Sequence, residues 1–98
     1  MITWLIENTE EGDDICKASE MEGLRNWAAG LDADLPFFFE LVPWEDTVPA
    51  EKLPQLIAEL DTMLASVDAA PEWTAQRLRA MRAVAQRAAR AGRGVVIG

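Results

Sequence analysis

Residues 72–98 read EWTAQRLRAMRAVAQRAARAGRGVVIG, and this stretch decides the fold. On a helical wheel, residues 72–91 gather one apolar face, with Leu78 and Ala85 on its flank. The face consists of Trp73, Met81, Val84, Ala88 and Ala91. Two glycines follow where a helix usually ends, and the β-branched run 95–97 then predicts a short terminal strand. A long amphipathic helix that leads directly into a strand favours an α+β domain.

The N-terminal residues supply the natural partner for that strand. Residues 2–7, ITWLIE, are β-branched and aromatic, which is typical of a strand. We expect residues 95–97 to pair with residues 2–6. Residues 8–14 are polar and contain a glycine, so they are predicted to form an exposed loop.

Two further helices are predicted between the termini. Ser19 and Glu22 match a capping box, and an apolar face follows, so we predict a helix over about 20–29. Its face consists of Leu24, Trp27, Ala28 and Leu31. A leucine-rich stripe over residues 53–67 predicts a second helix over about 54–66, with Pro54 in its first turn.

Residues 35–42 are almost wholly apolar, with Pro36 at their start and Pro43 directly after them. Prolines at both margins and three phenylalanines favour a strand or an extended buried segment over a helix. Residues 43–49 then form a turn-rich connector. The prediction is one domain, 1–98, of α+β class. It has three helices packed on a small two- to three-stranded sheet formed by both termini, with residues 37–42 as the candidate third strand.

Charge is distributed very unevenly along the chain. The first 72 residues hold all 17 acidic residues and three basic ones, a formal charge of −14. The last 26 residues hold six arginines and no acid. Such an imbalance concerns solubility and partners rather than fold. It predicts an arginine-bearing helix docked on an acidic body, and an acidic surface that attracts a basic partner.

Four arginines share one side of the C-terminal helix: Arg79, Arg82, Arg90 and Arg93. The first interpretation is a solvated outer face. Two alternatives stay open, a phosphate-binding stripe for nucleic acid and a homodimer in which the stripe meets the acidic surface of a second copy. The strongly acidic body disfavours nucleic acid, because it repels a duplex over a Debye length of about 8–10 Å.

Arg77 lies within the apolar face of the same helix. An unpaired buried charge would cost several kcal/mol. Its guanidinium is therefore expected to reach solvent, to stack on Trp73, or to meet a carboxylate of the acidic body.

Two acidic segments are the candidate contacts for a basic partner, although the first interpretation of the N-terminal one is a solvated loop. The first is Glu10, Glu11, Asp13 and Asp14, which lacks the spacing of a calcium loop. The second is Glu40, Trp44, Glu45 and Asp46, where an aromatic residue stands among carboxylates. For Trp44 the first interpretation is a residue of the core or of its rim, and contact with a partner is the alternative.

No catalytic residue, metal site or cofactor is predicted. The chain has no histidine, so neither its carboxylates nor its single cysteine, Cys16, has an imidazole base. Cys16 is interpreted as a buried structural residue. The N-terminus lacks the pattern of a signal peptide and no stretch is apolar enough to span a membrane, so a cytoplasmic location is expected. The alanine- and arginine-rich tail is compatible with a GC-rich bacterial or phage genome.

One stretch reads PFFFELVPWEDTV over residues 36–48 and LPQLIAEL over residues 53–60. It resembles small acidic bacterial proteins, some of which are immunity-like factors that accompany toxins. The shared features are Asp46-Thr47, Glu59-Leu60 and the terminal Ile97-Gly98. This chain departs from the pattern in its arginine helix and in the residues after the turn, and no functional residue can be carried over. The resemblance implies a small partner-binding protein.

Taken with the charge, these features predict a non-enzymatic binding protein that engages or inhibits a basic protein. The alternative is a nucleic-acid-binding protein that uses the arginine helix.

Overall fold

Four antiparallel strands and four helices make up the chain in a computed structural model that describes residues 1–98. The elements are β1 (Ile2–Ile6), β2 (Gly12–Cys16), α1 (Ala18–Ala29), α2 (Pro36–Glu40), β3 (Asp46–Val48), α3 (Leu53–Leu64), α4 (Glu72–Arg90) and β4 (Val95–Ile97). Short 3-10 turns at Ala50–Lys52 and Val67–Ala69 precede α3 and α4. The α+β class is confirmed.

The two terminal strands form the centre of a single sheet, whose order is β2-β1-β4-β3. Their predicted antiparallel pairing is confirmed, with Leu5 opposite Val96. Thr3 and Gly98 extend the ladder, since each backbone N–H donates to the other's carbonyl oxygen, at 2.8 and 2.9 Å. Because this pairing joins the two ends of the chain, the sheet is completed only by the last residues.

Burial alternates along the central strands, which shows that only one face of the sheet is covered. Ile2, Trp4 and Ile6 of β1 are buried, whereas Thr3 and Leu5 between them are half-buried. The buried face continues across the sheet through Val95, Ile97 and Val48. The helices pack on this face and complete one cluster of 23 buried apolar residues. The other face of the sheet is turned toward solvent.

The longest helix, α4, packs along α3 and against β1 and β2. Its side chains Leu78 and Met81 are fully buried, as are Leu56 and Leu60 of α3. The predicted bounds of both helices, 54–66 and 72–91, are correct to within two residues. Apolar periodicity located them well because both helices bury a single continuous stripe.

Residues 35–42 are not a strand, which corrects the sequence-based prediction. Pro36 opens the short helix α2, where its missing N–H is no loss. The buried carboxylate of Glu59, from α3, then accepts hydrogen bonds from the next two backbone amides, Phe37 N (3.3 Å) and Phe38 N (2.9 Å). A carboxylate from a distant helix therefore satisfies the free donors of this helix start. The third strand is instead Asp46–Val48, within the predicted connector.

The predicted loop 8–14 is also partly wrong, because residues 12–16 form β2. Aspartate and glycine rarely favour strands, but β1 offers a free edge, and pairing with it outweighs the local preference. The Thr3 hydroxyl fixes the pairing by donating to Asp14 Oδ1 at 2.8 Å. Gly12 is required here, since any Cβ would collide with the carbonyl oxygen of Trp4. The sheet consequently has four strands rather than two or three.

Helix α1 begins earlier than predicted. Lys17, not Ser19, occupies the N-cap position, and Glu20 rather than Glu22 bonds back to it. The Glu20 carboxylate accepts from the Lys17 backbone N–H at 2.9 Å. Strand β2 ends at Cys16, so the helix starts immediately after the sheet.

Arg77 meets a carboxylate of the acidic body, one of the three outcomes anticipated for it. Its Nη2 lies 3.1 Å from Glu20 Oε2, and both side chains are mostly shielded from solvent. The pKa of the Glu20 carboxyl is lowered, first by the hydrogen bond from the Lys17 amide and then by the Arg77 guanidinium. Glu20 thus ties the junction of β2 and α1 to helix α4.

Replacing Glu59 with alanine is expected to destabilise the fold by about 2–4 kcal/mol, because two backbone donors lose their acceptor in a dry interior. Glu59→Gln keeps one acceptor oxygen and should cost less. The free energy of unfolding in urea measures both. Asp32→Ala is the matched control, since it removes the same charge from an exposed position. A loss for Glu59→Ala no larger than the control's would contradict the capping role.

Arg77→Ala should lower the melting temperature more than Arg90→Ala, which removes an exposed arginine. The pKa of Glu20 is depressed in the folded state, so its stabilisation is present above the unfolded value of 4.5 and is lost as the pH falls through the folded pKa. The difference in melting temperature between wild type and Arg77→Ala should therefore become smaller below pH 4.5. Thermal unfolding across pH measures this, and a difference that stays constant would refute the assignment.

Candidate functional site

A groove of about 280 Å³ lies between α1 and the segment from α2 to β3. The side chain of Trp44 is 55% exposed beside it, the most exposed tryptophan of the chain. Trp44 is therefore not a core residue, and of its predicted positions only the rim of the core or a partner contact agrees with this exposure. The groove is lined by Glu22, Arg25, Asn26, Ala29, Phe39 and Trp44. We refer to these six residues as the aromatic groove.

Asp46 shapes the loop that presents Trp44. One of its carboxylate oxygens accepts from the Val42 backbone N–H at 2.9 Å, and the other accepts from the Thr47 N–H at 2.7 Å. The Glu45 N–H also donates to the Val42 carbonyl oxygen, at 3.2 Å. These bonds close the loop between α2 and β3, with Pro43 buried and Trp44 directed outward. Asp46 is consequently occupied as a structural acceptor and is only partly available to a partner.

Arg25 forms part of the wall of the aromatic groove. Its Nη2 donates to the Phe39 carbonyl oxygen at 3.3 Å, and its guanidinium carbon lies 5.9 Å from the centre of the Phe39 ring. Both contacts hold Phe39 in place beside α1. Glu22, one turn earlier on the same helix, and Glu40, next to Phe39, are both exposed. The groove therefore has an aromatic lining and an acidic border.

The two acidic segments predicted to contact a partner lie at opposite margins of the sheet. Glu10 and Glu11 are on the turn before β2, and Asp13 and Asp14 are on β2 itself, all of them exposed. The segment of residues 40–46 leads into β3, the other edge strand. Two strands separate these edges, a distance of about 14 Å at the usual strand spacing. The structure therefore places only the second segment beside the aromatic groove.

The four predicted phosphate-binding arginines also divide into two places. Arg82 Nε donates to Asp61 Oδ1 of α3, and Arg79 lies beside this pair. Arg90 and Arg93 lie at the far end of α4, where Arg87 joins them around a larger cavity. Arg87 was not among the predicted residues. Its spacing of three residues from Arg90 was a usable signal, because such residues neighbour each other on a helix.

Sequence reasoning also missed Glu22 and Arg25 as members of the aromatic groove. Both stand on α1, a different element from Trp44, whereas Phe39 was placed near Trp44 but assigned to a strand. No local pattern brings α1 and the loop before β3 together, so only the folded chain identifies the set.

Cys16 is buried at the end of β2, with 1% of its surface exposed. Burial is the main cause that raises the pKa of its thiol to about 11, with a smaller contribution from the Glu20 carboxylate. The thiol is therefore protonated and shielded at neutral pH. No group of three or more His, Cys, Asp or Glu side chains is placed to hold a metal ion. None of the helices combines the length and the apolar character needed to cross a bilayer.

Comparisons of the chain with protein-family models, with curated proteins and with solved structures found no match. The function is therefore inferred from the geometry of the chain itself.

Trp44→Ala is expected to change the free energy of unfolding by less than about 1 kcal/mol, because the side chain is largely outside the core. Phe38→Ala, which empties a buried site in the neighbouring helix, should cost about 3–5 kcal/mol. Urea denaturation compares the two variants. A loss for Trp44→Ala close to that of Phe38→Ala would mean that Trp44 is a core residue after all.

Proposed function

We propose that the chain is a non-enzymatic binding protein that engages a basic protein through the aromatic groove, in the manner of an immunity factor or inhibitor. The observation that carries the proposal is Trp44, a large aromatic side chain held 55% exposed beside a groove whose border carries Glu22 and Glu40. Exposed aromatic anchors with a polar border are typical of protein-binding hot spots. A cytoplasmic location and a bacterial or phage source belong to the same proposal.

The carboxylates of the chain are mostly left free for such a partner. Of 17 acidic residues, only Glu20 and Asp61 form ion pairs within the chain. Glu59 is buried and bonded to backbone amides, and Asp46 is occupied in its loop. Most of the others are exposed, and the formal net charge is −8. A basic partner is attracted over about a Debye length, which raises its association rate.

The groove suits a lysine or arginine side chain of the partner. A cation placed there lies beside Phe39 and Trp44, with Glu22 on the same wall. The Arg25 guanidinium already lies 5.9 Å from the centre of the Phe39 ring, so Trp44 and Glu22 are the contacts left for a second cation. Shape and charge at this place therefore favour insertion of one basic side chain, surrounded by rim contacts to Glu40 and Glu45.

The non-enzymatic part of the proposal draws on the side chains available. The groove offers a carboxylate, a guanidinium and an amide, but no nucleophile paired with a base. The sole cysteine is buried, and its thiol has a pKa of about 11. These groups suit recognition better than bond-breaking.

The nucleic-acid alternative has less support. A phosphate-binding stripe needs Arg79, Arg82, Arg90 and Arg93 to act together, but Arg82 is engaged by Asp61. The remaining arginines lie in two separate places along α4. The homodimer alternative requires the same stripe and is weakened in the same way.

The experiment compares proteins retained by the immobilised chain from an extract of the organism that encodes it. Wild type should retain a basic protein that Trp44→Ala loses. Glu10→Gln, which removes one charge at the opposite edge of the sheet, is the control and should retain it. The retained protein is then purified for binding kinetics. Trp44→Ala should raise the dissociation rate by about 30-fold or more, as expected for a hot-spot residue, while Glu45→Gln should mainly lower the association rate and its salt dependence.

Equal retention by wild type and Trp44→Ala would refute the groove as the interface. If Glu10→Gln loses the basic protein and Trp44→Ala retains it, the interface is the acidic edge at β2 and not the aromatic groove.

A further inference from the structure

A second cavity, of about 520 Å³, lies between the C-terminal end of α4 and the turn that joins β1 to β2. Arg87, Arg90 and Arg93 line it on one side, and Thr9 and Glu11 line it on the other. Its volume is within the range of small-molecule sites, about 300–1,000 Å³. We propose that this cavity binds a compact oligophosphate, a small anion of two or more linked phosphates. The proposal is independent of the aromatic groove, which lies against other elements.

The arginine wall is built by the way α4 ends. The Arg93 N–H donates to the Ala88 carbonyl oxygen at 3.0 Å, and the Gly92 N–H donates to that of Ala89 at 3.1 Å. With Gly92 at φ +67°, these bonds form a Schellman motif, which reverses the chain after the helix. The reversal brings Arg93 back against the sheet, where its Nη1 donates to the Glu7 carbonyl oxygen at 3.2 Å. Arg93 is thereby positioned beside the two helical arginines.

The opposite wall is a fixed turn. The Thr9 N–H donates to the Ile6 carbonyl oxygen at 3.1 Å, and Asn8 takes up a left-handed conformation at φ +61°. The Thr9 hydroxyl donates to the same Ile6 carbonyl oxygen at 2.8 Å and accepts from the Glu11 N–H at 3.0 Å. Internal bonds thus fix the backbone of both walls and the side chains of Thr9 and Arg93, while Arg87 and Arg90 extend into the cavity from an ordered helix.

The charge of the cavity is positive in an otherwise acidic chain. Three arginines and one carboxylate, Glu11, line it, which leaves a formal charge of +2. The two ion pairs of the chain use Arg77 and Arg82, so none of the three lining arginines is paired with a carboxylate. The negative end of the helix dipole amounts to only about half a charge. Three unpaired guanidinium groups in one place repel one another, and a bound anion removes that repulsion.

Several linked phosphates match the site better than one. Arg87 and Arg90 stand one turn apart on α4, with Cβ atoms about 5–6 Å apart, and Arg93 lies beyond the reversal. Guanidinium groups pair with phosphate oxygens two at a time. A ligand with two or three phosphates offers each arginine its own pair of oxygens.

The surroundings disfavour a long polyanion. Glu10, Asp13 and Asp14 are exposed on the same hairpin that carries Thr9 and Glu11. A nucleic acid strand that enters the cavity must continue past these carboxylates, within about a Debye length of them. A compact anion ends before it reaches them.

The test is calorimetric titration of the full chain with sodium tripolyphosphate in metal-free buffer at about 0.15 M ionic strength, where the Debye length is about 8 Å. Wild type should show saturable binding, and Arg87→Ala and Arg90→Ala should each weaken it about tenfold, since each removes a charge-assisted contact. Arg79→Ala removes the same charge from the same helix but outside the cavity. Its affinity for tripolyphosphate should be within about twofold of wild type, because salt screens a charge that lies farther than a Debye length from the ligand. Glu11→Gln should tighten binding, because it removes the one lining carboxylate. Circular dichroism confirms that each variant is folded.

Three results would overturn the proposal: no saturable binding by wild type, equal losses in Arg79→Ala and Arg90→Ala, or no loss in either cavity variant. A single-stranded oligonucleotide of equal charge serves as the competing probe. If it binds as tightly as tripolyphosphate, the site is a nucleic-acid surface and the compact-anion assignment is wrong.

Discussion

The carboxylate of Glu59 is the contact on which the arrangement of the middle of the chain depends. It reaches from α3 to the start of α2 and accepts the amides of Phe37 and Phe38, while the Gln55 side chain donates to it at 3.1 Å. A buried carboxylate without such donors would cost several kcal/mol. Here the donors are backbone N–H groups that the start of a helix leaves free. The carboxylate therefore gains donors, and the N–H groups gain an acceptor. This exchange keeps residues 36–40 helical and fixes them against α3.

The position of the aromatic groove follows from that contact. Because α2 ends at Glu40, the chain must turn within a few residues to reach β3 at the sheet edge. In this turn the Trp44 side chain points away from the core. The hydrogen bonds of Asp46 to the Val42 and Thr47 amides close the loop that carries it. The exposure of Trp44 thus follows from the helical conformation of residues 36–40, which the Glu59 contact stabilises. The helical conformation of residues 36–40 also places Glu40, part of the acidic border, next to Phe39.

Sequence patterns predicted those elements whose signal is periodic and continuous. Helices α3 and α4 bury one unbroken stripe each, and β1 and β4 are short β-branched runs, so their positions could be predicted closely. Residues 36–40 could not, because three phenylalanines suit either structure and the deciding acceptor, Glu59, lies about twenty residues later in the chain. Strand β2 was missed for a similar reason, since its pairing comes from β1 and not from its own Gly-Asp-Asp composition. Both failures concern long-range contacts that override local preference.

The candidate site was predictable only in part. Trp44 and its neighbouring carboxylates could be proposed from composition, but their exposure, and the contribution of Glu22 and Arg25 from α1, required the folded chain. The arginines could be placed on α4 by periodicity, but not Arg93, whose position depends on the reversal at Gly92. Charge totals likewise indicated an attraction to basic partners without indicating that the acidic segments occupy opposite edges.

The two sheet margins restrict how any partner can dock. At one margin, β3 is only three residues long, and the Thr47 amide is already bonded to the Asp46 side chain. At the other, β2 presents Asp13 and Asp14 to solvent, and a strand arriving there would have to lie against both charges. Neither margin readily accepts an added strand from another polypeptide. Under the proposed function, a partner is therefore recognised through contacts between side chains and not by strand addition, so substitutions of surface side chains that leave the backbone unchanged alter which partner fits.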